Sequence, residues 1–99
     1  MDVKIHAIHF HADQRLEQFI REKIGKIETF FDRITGTEVY LKLENNGSQI
    51  KDKVAEIKVL LPGKVIYSAE RSKLFEESFD MALTGIMRQV KKYKEKVKG

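Results

Sequence analysis

The chain has no cysteine in its 99 residues, which excludes disulfides, thiolate metal sites and cysteine nucleophiles. One proline and six glycines leave no linker or low-complexity segment, and no internal repeat is visible. No apolar run approaches the roughly 20 residues that a membrane-spanning helix needs. The N-terminus, with Asp2 and His6 early, offers neither the basic start nor the long apolar centre of a signal peptide. With 41% hydrophobic residues the chain can bury one modest core, so a single domain over 1–99 is expected, located in the cytoplasm.

The charge that is present is unevenly placed. From Arg88 to Lys98 there are six basic residues against Glu95 alone, a local +5 in a chain of +4, so everything else nets −1. This basic segment lies in a stretch, Ser72 to Lys98, that reads as one long helix. Phe75, Phe79, Leu83, Ile86, Val90, Tyr93 and Val97 recur every three or four residues. At about 100° per residue they gather into one apolar stripe that must lie on something. Arg88, Lys91, Lys92 and Lys96 fall opposite it within an arc of roughly 140°, with Lys94 and Lys98 on the flanks. A concentrated cationic strip on a rigid rod suits a polyphosphate better than a small metabolite.

In chain order, Val3, Ile5 and Ala7 alternate as the apolar face of a first strand. Asp13 then caps a helix whose stripe runs through Leu16, Phe19, Ile20, Ile24, Ile27, Phe30 and Phe31. Val39, Leu41 and Leu43 mark a second strand, ending in the turn signal Asn45-Asn46-Gly47-Ser48. Ala55, Ile57, Val59 and Leu61 mark a third, closed by Pro62-Gly63, and Val65, Tyr67 and Ala69 a fourth. Ser72 is the expected cap of the long helix. The predicted fold is α+β, in the order β-α-β-β-β-α. It comprises a four-stranded sheet, strand one beside strand two, with two helices packed on one face. The other face, with Lys4, Lys42, Glu44, Glu56 and Lys58, should be mostly wet.

Five segments together resemble a known family. They are Met1-x-Val3-x-Ile5, Phe30-Phe31-Asp32-Arg33-Ile34, Ser68-Ala69-Glu70, Phe75-Glu76-Glu77-Ser78-Phe79-Asp80 and Arg88-Gln89-Val90-Lys91-Lys92-Tyr93-Lys94-Glu95-Lys96. In this order and spacing the chain looks like a short-form ribosome hibernation promoting factor, the family that includes ribosome-associated inhibitor A. The likeness runs from Met1 to Lys96. It implies a fold similar to a double-stranded-RNA-binding domain. It also implies binding to the small ribosomal subunit in the channel where messenger and transfer RNA sit, which inhibits translation in stationary phase or stress. The rRNA-binding residues it implies are Arg88, Lys91, Lys92, Lys94 and Lys96, with Lys23 and Arg33 as further basic positions. No cofactor, membrane or small-molecule substrate is implied, and the protein is expected to be a monomer off the ribosome. The C-terminal dimerisation domain of the long form is expected to be missing.

The sequence departs from the family at Ala7, where glycine is usual, and at Thr84 and Gly85. Those two are expected on the basic face, where the family more often has charged helix formers, and Met81 on the same outward arc. Three other readings compete with the resemblance. His6, His9 and His11 suggest a metal site, since His9 and His11 would project from the same side of an extended segment, but no nearby carboxylate or cysteine completes it. Glu76, Glu77 and Asp80 lack a nucleophile or a histidine in phase, so a helix-start role is preferred and no enzyme is expected. A general double-stranded-RNA-binding module is the functional alternative. Of Phe30 and Phe31, the helical phase assigns at least one to the core, and it assigns Tyr93 to the core with its hydroxyl at the rim.

Overall fold

The computed structural model describes residues 1–98, the last by its backbone alone. Its elements are β1 (Asp2–Ala7), α1 (Gln14–Phe30), β2 (Gly36–Glu44), β3 (Asp52–Leu61), β4 (Lys64–Ser72) and α2 (Phe75–Lys98). The strands form one sheet in the order β1-β2-β3-β4, with β1 parallel to β2 and the other pairs antiparallel. Parallel neighbours cannot be joined by a tight turn, and α1 supplies the crossover. Asp13 caps α1 as its position suggested, its carboxylate accepting from the Leu16 amide at 2.8 Å. Pro62 and Gly63, the latter at φ 73°, make the β3–β4 turn, the residues a type II turn takes.

Strand register decides what faces the helices. Ile5 lies opposite Val39, Val39 opposite Ile57, and Ile57 opposite Ser68, so the pleat carries this row to the covered side. There it meets Ile20, Ile24 and Ile27 of α1 and Phe79, Ile86 and Val90 of α2 in one buried cluster. The helices meet each other edge to face through Phe19 and Phe79, ring centroids 6.1 Å apart.

Three expectations are corrected here. In β4 the core residue is Ile66, 1% exposed, while Val65 and Tyr67 are 56% and 47% exposed. The strand therefore runs in the opposite phase to its most apolar alternation. The two-residue turn sets this phase, pairing Leu61 with Lys64 and Val59 with Ile66, so Ile66 and Ser68 join the covered face. On that face α2 approaches β4 so closely that a Cβ on Gly85 would stand 2.5 Å from the Ser68 hydroxyl. Gly85 thus faces the sheet and not the basic side, and the small pair Ser68 and Gly85 permits the approach. Thr84 does stay exposed, its hydroxyl donating to the Asp80 carbonyl at 3.0 Å. Finally, Ser72 is not the cap of α2. Its pairing with Lys53 keeps it in β4, and the first helical bond runs from the Ser78 amide to the Leu74 carbonyl. Its hydroxyl instead donates to the Glu77 carboxylate at 2.6 Å.

A double-mutant cycle tests the close approach. Gly85→Ala gains about 1 kcal/mol of helix propensity in principle, but in the native background most of it is expected to be lost in displacing the Ser68 hydroxyl. In a Ser68→Ala background the same change is expected to stabilise by the full amount, read from denaturant midpoints. Equal effects in both backgrounds would remove the contact as the reason for the glycine.

Candidate nucleic-acid interface

Burying Phe79, Ile86 and Val90 completely turns the opposite arc of α2 outward. Arg88, Lys91, Lys92 and Lys96 are all exposed on that side, as is Met81 at 43%, while Lys94 is exposed on the flank nearer α1. Among the described residues, none of Arg88, Lys91, Lys92 and Lys96 takes part in an ion pair. The side chain of Lys98, expected on the flank, lies outside the described residues.

The open face of the sheet makes the contrast. Lys42 sits 3.1 Å from Glu56, Arg71 3.3 Å from Glu44, and Lys73 2.7 Å from Asp52. Hydrogen bonding to Glu56 raises the pKa of Lys42, and hydrogen bonding to Lys73 lowers that of Asp52. Tyr40 and Tyr67 are raised too, Tyr40 mainly by its bond to Glu38 and Tyr67 mainly by burial. On the open sheet face Lys42, Arg71 and Lys73 are therefore paired, with Lys4 and Lys58 outside any ion pair among the described residues, whereas along α2 all four of Arg88, Lys91, Lys92 and Lys96 are unpaired, with Glu95 the one acid among them. A phosphate approaching the sheet must compete with carboxylates already seated there, whereas one approaching α2 displaces only water and counterions.

The remaining basic positions divide. Lys94 reaches back to α1, its ammonium donating to the Phe30 carbonyl at 3.2 Å and standing 4.5 Å from the Phe30 ring centroid. The last turn of α1 has no basic residue of its own, so Lys94 supplies the cation that the negative end of that helix dipole favours. Lys23 bridges the helices as well, 3.7 Å from Asp80 and 5.4 Å from the Phe19 ring centroid. Arg33 is exposed in the turn after α1, two residues from Phe31, whose ring meets Tyr93 edge to face at 5.6 Å. The structure thus brings Arg88, Lys91, Lys92 and Lys96 onto one free ridge, engages Lys94 and Lys23 within the domain, and sets Arg33 apart in a turn.

Two cations were missed from sequence. Lys26 lies three residues after Lys23 and four before Phe30, so it shares the flank of α1 that faces α2, and that spacing alone could have found it. Lys64, just after the β3–β4 turn, stands 6.0 Å from the Tyr93 ring centroid, a contact that only the tertiary fold creates.

The aromatic expectations divide as the helical phase implied. Phe31 is buried and Phe30 is 38% exposed beneath Lys94. The Tyr93 hydroxyl donates to the Pro62 carbonyl at 3.3 Å. His9 adopts φ 62° in a bend, so the segment is not extended there and the expected same-side projection of His9 and His11 does not hold. His6 stacks on Tyr40 at 4.8 Å, on the open face of the sheet. Among the described residues no three His, Asp or Glu side chains gather as metal ligands. No described helix is long and apolar enough to cross a membrane.

Known proteins resemble this chain in sequence and in architecture. The sequence profile of the Sigma 54 modulation protein / S30EA ribosomal protein family matches residues 3–98. A ribosome hibernation promoting factor of Pseudomonas putida is 31% identical over 96 residues, which cover 97% of this chain and 89% of that protein. Among solved structures, a ribosomal subunit interface protein from Coxiella burnetii superposes with a TM-score of 0.84 at 19% identity, covering 96% of this chain and 99% of that one. The N-terminal domain of Thermus thermophilus Protein Y gives 0.74 at 21% identity, covering 94% and 99%. Both carry the fold described above.

Proposed function

The chain belongs to the Sigma 54 modulation protein / S30EA ribosomal protein family, and we propose that it is a ribosome hibernation factor that silences the small ribosomal subunit by filling the channel for messenger and transfer RNA. The observation that carries this reading is the ridge of Arg88, Lys91, Lys92 and Lys96, exposed and, among the described residues, free of ion pairs, on a helix that the sheet holds rigidly. The name of the Pseudomonas putida relative supports it.

The mechanism is occlusion driven by electrostatics. Sheet and helices form a stiff wedge, and the ridge neutralises phosphates lining an rRNA groove while releasing their counterions. Such contacts read the shape of folded RNA more than its sequence. Neutralising about four phosphates gives a slope of log K against log salt near −3. No bond is made or broken, so the mechanism calls on no nucleophile and no cofactor. The free protein is a cytoplasmic monomer in this reading, and its presence suppresses translation in stationary phase or stress.

Competition separates this from a general duplex-RNA-binding module. Labelled protein bound to isolated small subunits is expected to stay bound when challenged with an equal mass of free duplex RNA. Release by the duplex would favour the general module.

A further inference from the structure

We propose that the groove between α2 and the β3–β4 turn is a second phosphate-binding wall, in which Lys64 grips an RNA backbone strand from the side opposite Lys92 and Lys96. The inference rests on the ribosomal reading above and specifies which flank of the α2 ridge turns toward RNA.

The groove offers about 500 Å³ and is lined by Lys64, Gln89, Lys92, Tyr93, Glu95 and Lys96. That lies within the roughly 300–1,000 Å³ of sites that hold small ligands, enough for a nucleotide unit of a strand. Its two walls come from different elements and are locked together. The Tyr93 hydroxyl donates to the Pro62 carbonyl at 3.3 Å, and the Gln89 side-chain amide donates to the Tyr67 carbonyl at 2.8 Å. Lys92 and Lys96, four residues apart, project from one side of α2. Lys64 faces them from the turn, its ammonium 6.0 Å from the centroid of the Tyr93 ring on the floor.

Among the described residues these three lysines form no ion pair, and Glu95 is the one acid on the rim, so the groove carries a net positive charge. On the opposite flank of α2, Lys23 is engaged by Asp80 and Lys94 by the end of α1, which leaves Lys26, among the described residues, as the unpaired cation of α1 there. An open trough with cations on both walls and an aromatic floor matches an extended anionic strand, with phosphates at the rims and a sugar or base against the ring. The groove is continuous with the free ridge through Lys92, so one RNA strand can touch both.

The test measures binding of the full chain to isolated small subunits across a salt series, for wild type, Lys64→Glu, Lys64→Arg, a Lys51→Glu control in the exposed loop before β3, and the ridge pair Lys91→Glu with Lys92→Glu. Lys64→Glu is expected to weaken binding at least tenfold and to flatten the salt slope by about one. Lys64→Arg is expected to bind as wild type does, and Lys51→Glu within twofold of it. Unchanged denaturant midpoints establish that each variant is folded. If Lys64→Glu binds within twofold of wild type while the ridge pair does not bind, the groove proposal is overturned and the ribosomal reading stands. If the ridge pair also binds normally, the assigned face of α2 is wrong and the groove proposal falls with it.

Discussion

Reversing Lys91 and Lys92 to glutamate is expected to abolish binding to isolated small subunits, weakening it by a factor on the order of 10²–10³ at physiological salt. Each reversal removes a phosphate contact and its share of counterion release, and adds a repulsive carboxylate in its place. The fold should survive, since both side chains are exposed and, among the described residues, unpaired. Surface changes of this kind usually stay within about 0.5 kcal/mol, and acids near a helix C-terminus add a dipole cost of about 0.3–1 kcal/mol. The informative control is Lys4→Glu with Lys58→Glu on the sheet. It changes net charge by the same amount but on the opposite face, so it preserves any effect that depends on overall charge alone. Retained binding by the sheet pair and lost binding by the ridge pair would locate the interface. Equal losses would reduce the effect to net charge.

Phe79→Ala carries the largest expected effect on stability. The side chain is completely buried beneath α1 and packs edge on against Phe19. Truncating a buried Phe to Ala costs about 3–5 kcal/mol through lost transfer energy and the cavity left behind. Against a typical domain stability of about 5–15 kcal/mol this is about a fifth of the total or more. The ridge sits on the same helix, so binding should fall with the folded fraction and return when temperature is lowered enough to restore it. A loss below about 1 kcal/mol would contradict the packing described for α2.

Much of this fold is legible in the sequence because burial enforces periodicity. Ala55, Ile57, Val59 and Leu61 alternate in β3, and all four are buried. The stripe of α2 likewise dictates which lysines face out. The departures share a cause: strand pairing and tertiary contact, which leave no mark on local apolar content, decide them. Val65, Tyr67 and Ala69 form the more apolar alternation of β4, yet pairing across the two-residue turn sets Ile66 opposite Val59 and Ser68 opposite Ile57, which turns Ile66 and Ser68 inward. Ser72 has the chemistry of a cap, but strand pairing holds it short of the helix. The engagement of Lys94 by Phe30, 64 residues away, and the placing of Lys64 beside Tyr93 leave no trace in local pattern. Charge counting finds a basic segment, but only geometry separates free cations from engaged ones.

Site-specific crosslinking within the bound complex addresses the ridge most directly. A photoreactive residue is placed either at Thr84, exposed on the outward arc of α2, or at Ala69, exposed on the open face of the sheet. Crosslinks from position 84 to rRNA lining the channel between head and body of the small subunit, with none from position 69, are the expected result. Crosslinks to rRNA from position 69 and none from position 84 would show that the protein meets the ribosome with its other face.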